Sequence, residues 1–213
     1  NYFEKKLPNC NYFDQTWDFN INNWLPFYWK GYSQTTCYTI VIENIQNYEK
    51  TIKKFKQNRR QDINKAKNFI TKTNFNISPE IFFLEHKKNL KKKNKNISYG
   101  FNLFKKIHDA CKNNLQGTIA GCVDEKGKYH SMAFIVWDKD YAYLNQLTTD
   151  PDKIKIGSSS LLIKDILDFL KDKTKHFDFE GSMDIGIYKF YRSFGGKIKK
   201  MNKIKKTNPK ILN

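Results

Sequence analysis

Phe177-Asp178-Phe179-Glu180-Gly181-Ser182-Met183-Asp184-Ile185-Gly186-Ile187-Tyr188-Lys189-Phe190-Tyr191-Arg192-Ser193-Phe194-Gly195-Gly196-Lys197 reads as strand, turn, helix, turn and strand in one short run. Phe177 and Phe179 alternate with Asp178 and Glu180, the period of a strand. Gly181 and Ser182 break it, and Ser182 or Asp184 can cap the next helix. From Ile187 the apolar positions Ile187, Phe190, Tyr191 and Phe194 fall at helical spacing, and Gly195-Gly196 supplies the left-handed residue that ends a helix. Two carboxylates and a hydroxyl at the strand end, with Tyr191 and Arg192 one or two turns on, can surround one polar ligand. Spacing alone favours an ordinary capped β–α connection.

Upstream lies the clearest sheet. Gln116–Val123, Tyr129–Trp137 and Tyr141–Thr148 form three strands joined by turns, the first with Gly127 where a positive φ is needed. His130 heads the middle strand, where a packed, hydrogen-bonded core residue is the ordinary reading. A loop, Thr149–Ile156, leads to Gly157-Ser158-Ser159-Ser160 and a long helix ending at Lys171. Small residues at a helix start let backbone N–H groups approach an anion; a serine cap with no ligand fits equally well.

Nearer the N-terminus, Thr35–Ile42 is a β-branched strand. Residues 46–73 read as one helix with a stripe of Tyr48, Ile52, Phe55, Ile63 and Ala66. Phe75–Ser78 reads as a short strand, Pro79–Leu90 and Ser98–Asn113 as helices, and Lys87–Asn96 as an exposed lysine–asparagine run. Lys197–Ile204 is a final strand and residues 205–213 a basic tail. The aromatic cluster Trp24, Phe27, Tyr28 and Trp29 suits a buried cluster or a lid.

The run Phe177–Lys197 resembles the C-terminal signature of the Fem-type (FemABX-like) proteins, part of the GNAT-like N-acyltransferase superfamily: F-D-F-E-G-S, then G-I-x-x-F-x-x-x-F-G-G-K. Trp24-Leu25-Pro26-Phe27-Tyr28-Trp29-Lys30-Gly31-Tyr32, Arg60-Gln61-Asp62-Ile63-Asn64-Lys65-Ala66 and Ala133-Phe134-Ile135-Val136-Trp137-Asp138 fit the same family in the same order. The resemblance implies an α+β fold whose central, mostly antiparallel sheet is flanked by helices. It divides the chain into 1–45, the remainder of an N-terminal GNAT-like half, 46–204, an acyltransferase domain, and the tail. Family members carry more sequence before the Trp24 motif, so an N-terminal portion is expected to be missing.

The resemblance also implies an enzyme, an N-acyltransferase with acyl-CoA, acetyl-CoA first among them, as donor. In the GNAT arrangement two parallel strands splay, the acyl arm entering from one side and the acceptor from the other. Tyr141–Thr148 and Lys175–Glu180 would be those strands, with Glu180 facing the serine-rich helix start across a cleft. Lys155, Ile156, Gly157, Ser158, Ser159 and Ser160 would hold the pyrophosphate. Glu180 or Asp184 would deprotonate the amine, and Tyr188, Tyr191 or Arg192 would meet the developing negative charge, with His130 a further catalytic candidate. Trp29, Lys30, Arg60, Lys65, Asn145, Ser182 and Tyr188 would contact substrate. The acceptor would be a cell-wall or surface-glycan precursor, such as a nucleotide-linked amino sugar. The alternatives are a tRNA-dependent aminoacyl transferase acting on a peptidoglycan precursor, which Tyr191 in place of the family's lysine counts against, and a non-catalytic polyanion-binding module.

Composition sets outer limits. The formal net charge is +18 over 213 residues, suiting phosphate-bearing partners or an anionic membrane surface. The arginines are Arg59, Arg60 and Arg192, however, and bidentate readers of phosphate and bases are usually arginine. DNA is therefore not expected, and much of the charge reads as solvated surface. No apolar window is long enough for a membrane span, and no signal peptide is evident. Cys10, Cys37, Cys111 and Cys122 are scattered, as are the four histidines, which points to a reducing cytoplasm and no metal.

Overall fold

The computed structural model describes residues 11–207, and its architecture follows from central strands that are buried on both faces. In chain order the strands are β1 (Tyr12–Thr16), β2 (Ser33–Ile42), β3 (Lys72–Asn74), β4 (Gly117–Val123), β5 (Tyr129–Trp137), β6 (Tyr141–Thr149), β7 (His176–Asp178) and β8 (Lys197–Thr207). They form one sheet in the order β1-β8-β2-β7-β6-β5-β4-β3. Every pairing is antiparallel except β6 with β7.

The helices are α1 (Leu25–Tyr28), α2 (Tyr48–Lys53), α3 (Gln57–Ala66), α4 (Pro79–Lys91), α5 (Phe101–Asn113), α6 (Ser158–Leu170) and α7 (Ile185–Arg192), with a 3-10 turn at Pro151–Ile156. Alternate residues of β4 and β5 enter two different cores, because successive side chains of a strand point to opposite faces. Ala120, Cys122, Ala133 and Ile135 meet α3 and α6. Ile119, Met132 and Phe134 meet Phe82 of α4 and Phe104 of α5. This is the expected α+β fold, a mostly antiparallel sheet with helices on both faces.

The residues assigned from sequence to the 1–45 segment supply β1 and β2, which join β8 in the same sheet. The lysines of β8 are held by carboxylates across the strands: Lys197 and Lys199 by Glu43 at 2.5 and 3.0 Å, Lys203 and Lys205 by Asp14 at 3.3 and 3.5 Å. Charge along this edge blunts pairing with another chain.

Three element readings change. The helix expected over 46–73 is two helices, because Phe55 turns inward to meet Phe194 (ring centroids 5.0 Å apart). Lys56 there is extended and donates its N–H to the Ser193 carbonyl at 2.9 Å. The same stretch ends in β3, which pairs Lys72 with Val123, so the short strand lies just ahead of Phe75–Ser78; Phe75 itself stacks on Phe169 at 4.4 Å. The last strand runs past Ile204 to Thr207, antiparallel to both β1 and β2. Cys10 and residues 208–213 of the tail lie outside the described residues.

Leu162, fully buried on α6, tests the larger core. Leu162→Ala is expected to lower the unfolding free energy by about 3 kcal/mol in urea denaturation, a loss no exposed position should reproduce.

Candidate functional site

Strands β6 and β7 run together for three pairs only, Tyr141–His176, Ala142–Phe177 and Tyr143–Asp178. Beyond Tyr143, β6 stays with β5 as far as Thr149, while the other chain turns to β2, where Phe179 donates its N–H to the Ile40 carbonyl at 3.0 Å. The sheet divides at that point. A bulge in β6 marks the same level: Phe134 stands opposite Gln146 and Ile135 opposite Leu144, which leaves Asn145 outside the ladder and exposed.

Asp178 fixes the divided strand end. It is 4% exposed, and its Oδ1 accepts from the Thr39 hydroxyl and from the Glu180 N–H at 2.7 Å. Glu180 takes a left-handed φ of 54°, an uncommon conformation for a residue with a side chain, and strain of this kind collects at functional sites. Gly181 comes next at φ 70°, and a Cβ there would lie 2.1 Å from the Tyr38 carbonyl oxygen. Only glycine lets the chain pass so close to β2.

A cleft of about 540 Å³ opens over this turn. Asp178, Glu180 and Ser182 line it from the turn, Tyr143 from β6, Cys37 and Tyr38 from β2, and Trp17, Asp18 and Phe19 from the segment after β1. Among the described residues its only lining cation is Lys203, which is paired with Asp14. The cleft is therefore acidic inside a strongly basic chain.

Electrostatics single out Glu180. Glu180 is exposed at the cleft, yet the surrounding protein and then the Asp178 charge raise its carboxyl to about 7. Burial raises Asp178 too, against the opposing pull of Thr39 and the Glu180 N–H. Tyr191, buried on α7 and stacked on Phe179 at 4.6 Å, is pushed up to about 12 by burial and then by the Glu180 charge, so its phenol stays protonated beside that carboxyl. Tyr143 is likewise held at about 12 by burial and nearby aspartates.

Of the residues singled out in the sequence, Glu180 and Ser182 line this cleft, Asn145 stands at the bulge where the strands part, and Tyr191 packs in the α6 core against Phe179. The others stand elsewhere or have structural partners. Asp184 caps α7, accepting from the Gly186 and Ile187 N–H groups at 2.8 and 3.0 Å, which hold its carboxyl below the usual range. That makes Asp184 a poor base and leaves Glu180. Arg192 donates to the Gly196 carbonyl at 2.8 Å and closes the end of α7. Tyr188 packs on the large core.

His130 sits in a different cleft, with its Nε2 2.9 Å from Asp124 and 2.6 Å from the Lys153 ammonium, and its buried Nδ1 without a partner. It is the packed strand histidine of the ordinary reading. Phe27 and Tyr32 pack on Trp17 and Phe13, whereas Trp29 of the same motif is 71% exposed and the Lys30 carbonyl accepts from Lys206. Arg60 and Lys65 are exposed on α3.

The start of α6 does not fit a pyrophosphate. Gly157, Ser158 and Ser160 are buried. Ser158 bonds to Ser131 at 2.6 Å, Ser159 to Thr149 at 2.7 Å, and Ser160 accepts from Arg59 at 2.9 Å. The Asp62 carbonyl lies over Gly157, where a Cβ would meet it at 2.5 Å. The backbone of α3 thus packs directly against the glycine that opens the helix. Of the expected loop only Lys155 is well exposed. The helix start and the acid cleft also belong to opposite faces of the sheet. Phe177, Phe179, Ala142 and Leu144 pack in the α6 core, so Asp178 and Tyr143 point the other way. The facing arrangement expected from the sequence is absent, and the serine run is a packed, hydroxyl-tied helix start.

Among the described residues, no group of three or more His, Cys, Asp or Glu is placed to hold a metal, and no helix is long and apolar enough to cross a membrane. Asp18, Trp17 and Tyr143 enter the site without having stood out in the sequence. Of the three only Tyr143 carries a signal there, its alternation with buried Ala142 and Leu144.

A sheet split between two parallel strands, with helices on both faces, is the arrangement that the Fem-type, GNAT-like resemblance implied. No protein-family model and no curated protein matches the sequence. Among solved structures, FemX aligns at TM-score 0.65 and 12% identity, over 78% of this chain and 61% of that one. L-PGS from Bacillus licheniformis aligns at 0.60 and 10%, over 87% and 64%. The C-terminal domain of a putative lysylphosphatidylglycerol synthetase from Agrobacterium fabrum aligns at 0.57 and 14%, over 83% and 62%. The chain spans about three fifths of the length of these structures, and at such identities the likeness is one of fold.

Titration tests the site. Asp178 and Glu180 both have folded values above their unfolded ones, so the folded state binds more protons between about 4 and the Glu180 value of about 7. Their contribution to stability is full below that window and is lost as pH rises through it. Glu180→Gln should flatten this fall in pH-dependent denaturation, and side-chain carbon NMR should give a Glu180 midpoint near 7.

Proposed function

We propose that the protein is an acyltransferase that delivers an acyl group to an amine seated in the acid cleft. The observation that carries this reading is Glu180, a carboxyl raised to about 7 at the point where β6 and β7 part. A protonated amine is drawn in by Asp18, Asp178 and Glu180. Glu180, ionised near neutral pH, takes its proton. The free amine attacks the acyl carbon, an N–C bond forms, and the bond from that carbon to its carrier breaks. Glu180 passes that proton to the leaving group, and the second proton of the amine is lost to solvent as the amide forms. Asn145, outside the ladder at the bulge, would meet the developing oxyanion.

The closed α6 start favours a donor other than acyl-CoA. An acyl ester carried on tRNA, the alternative donor, suits a chain of net charge +18 whose cations lie largely outside the cleft, although Tyr191 in place of the family's lysine counts against it. Of the similar structures, two are named as lysylphosphatidylglycerol synthetase or L-PGS, and a third as FemX. The acceptor is an amino-bearing precursor of a cell wall or surface glycan, its amine inside the cleft and any phosphate outside among the lysines.

Turnover assays with charged tRNA and with acyl-CoA, against a panel of amines, separate the donors. Transfer from tRNA is expected, and Glu180→Gln should lower it by about 10²-fold or more. The wild-type rate should rise with pH to a plateau above about 7, because the base must be ionised. A Glu180→Gln enzyme with an unchanged rate, or turnover from acyl-CoA alone, would overturn this assignment.

A further inference from the structure

Helix α4 carries an unusual outer face. Phe82 and Asn89 are buried, whereas Ile81 and Leu84 are 43% and 66% exposed, and Lys87, Lys88 and Lys91 come after Leu84 at helical spacing. Lys87 and Lys91 recur beside Lys95 in an adjoining hollow floored by Phe83 and Phe101. Neighbouring acids neutralise only part of this charge. Lys92 is tied to Asp150 and Asp152 at 2.6 and 2.5 Å, and Lys88 to Glu85 at 3.4 Å. Lys87, Lys91 and Lys95 have no ion pair among the described residues. Crowding is evident in Lys93, lowered by burial and then by the Lys95 charge.

The surface continues to the acid cleft. The Lys95 charge reaches Asp184, and the residues flanking Asp184, Met183 and Ile185, are 69% and 70% exposed. Met183 also lines the cleft. Single exposed apolar side chains are ordinary, but these stand beside uncompensated ammonium groups on long aliphatic stems. A single-stranded nucleic acid would want free aromatic faces. The rings nearby, Phe83, Tyr99 and Phe101, pack on one another, Phe83 lying 6.1 Å from Tyr99 and 5.3 Å from Phe101. Lysines level with exposed Leu, Met and Ile are the chemistry of a bilayer interface with anionic headgroups.

We propose that this face docks the protein on an anionic phospholipid bilayer, with Lys87, Lys91 and Lys95 at the phosphates and Leu84, Met183 and Ile185 at the acyl boundary. Because Met183 belongs to both surfaces, the docked protein turns the mouth of the acid cleft toward the membrane. The docking does not depend on the transfer chemistry.

Flotation of the full chain with vesicles tests it. Binding is expected to vesicles of phosphatidylcholine with phosphatidylglycerol, not to phosphatidylcholine alone, and to weaken with salt. The triple change Lys87→Glu, Lys91→Glu, Lys95→Glu should lower partitioning by about tenfold or more, and the corresponding arginine triple should retain it. Leu84→Asp should also lower it, so that a loss of fold in the glutamate triple, visible in its melting curve, leaves the question decidable. Equal flotation on neutral vesicles, binding unchanged in the glutamate and Leu84→Asp variants, or RNA that displaces the vesicles would each overturn the proposal.

Discussion

A buried carboxylate holds the sheet open. Asp178 accepts from the Thr39 hydroxyl on β2 and, within its own turn, from the Glu180 N–H; the Thr39 bond, with the Phe179 N–H to Ile40 carbonyl bond, holds the chain after β7 to β2. A buried acceptor of this kind is costly to leave unpaired, so the commitment is strong. The rest of the site depends on it. Strand β6 loses its parallel neighbour after Tyr143, Glu180 is forced into a left-handed conformation, and Gly181 must pass beneath the Tyr38 carbonyl. The strain at Glu180, on the order of 1 kcal/mol, is tolerated because both sides of the turn are fixed.

Charge is sorted by the same geometry. The chain carries +18, yet the cleft at the split gathers Asp18, Asp178 and Glu180. Such a cleft would draw a cationic amine inward, as the proposed reaction requires. Burial raises both carboxyls, with the Asp178 charge adding to it at Glu180 and the Asp18 charge at Asp178. One carboxyl raised to about 7 is thus a consequence first of the protein around it and then of the second acid at the same strand end.

Much of the fold was legible because local pattern and tertiary environment agree. The alternation of β4, β5 and β6 is a two-sided burial pattern, and the hairpin at Gly127 fixes their register. Glu180 and Ser182 were legible from the strand–turn break and the family resemblance. The failures came where packing overrode pattern. Phe55 sits on a helical stripe, yet its contact with Phe194 breaks the helix in two. The Gly157–Ser160 run has the composition of an anion loop, but Asp62 from α3, distant in sequence, closes it. Asp18 and Trp17 enter the cleft from a segment without periodicity, and only the pairing of β1 with β8 brings them there.

The central claim is that the split at Asp178 makes an amine site and that the α6 start binds no coenzyme A. Amide chemical-shift mapping during separate titrations with a small primary amine and with coenzyme A tests both halves most directly. The amine should move the signals of Tyr143, Glu180 and Ser182, and coenzyme A should leave Gly157 to Ser160 in place. Coenzyme A moving Gly157 to Ser160, or an amine leaving Glu180 unmoved, would contradict the account.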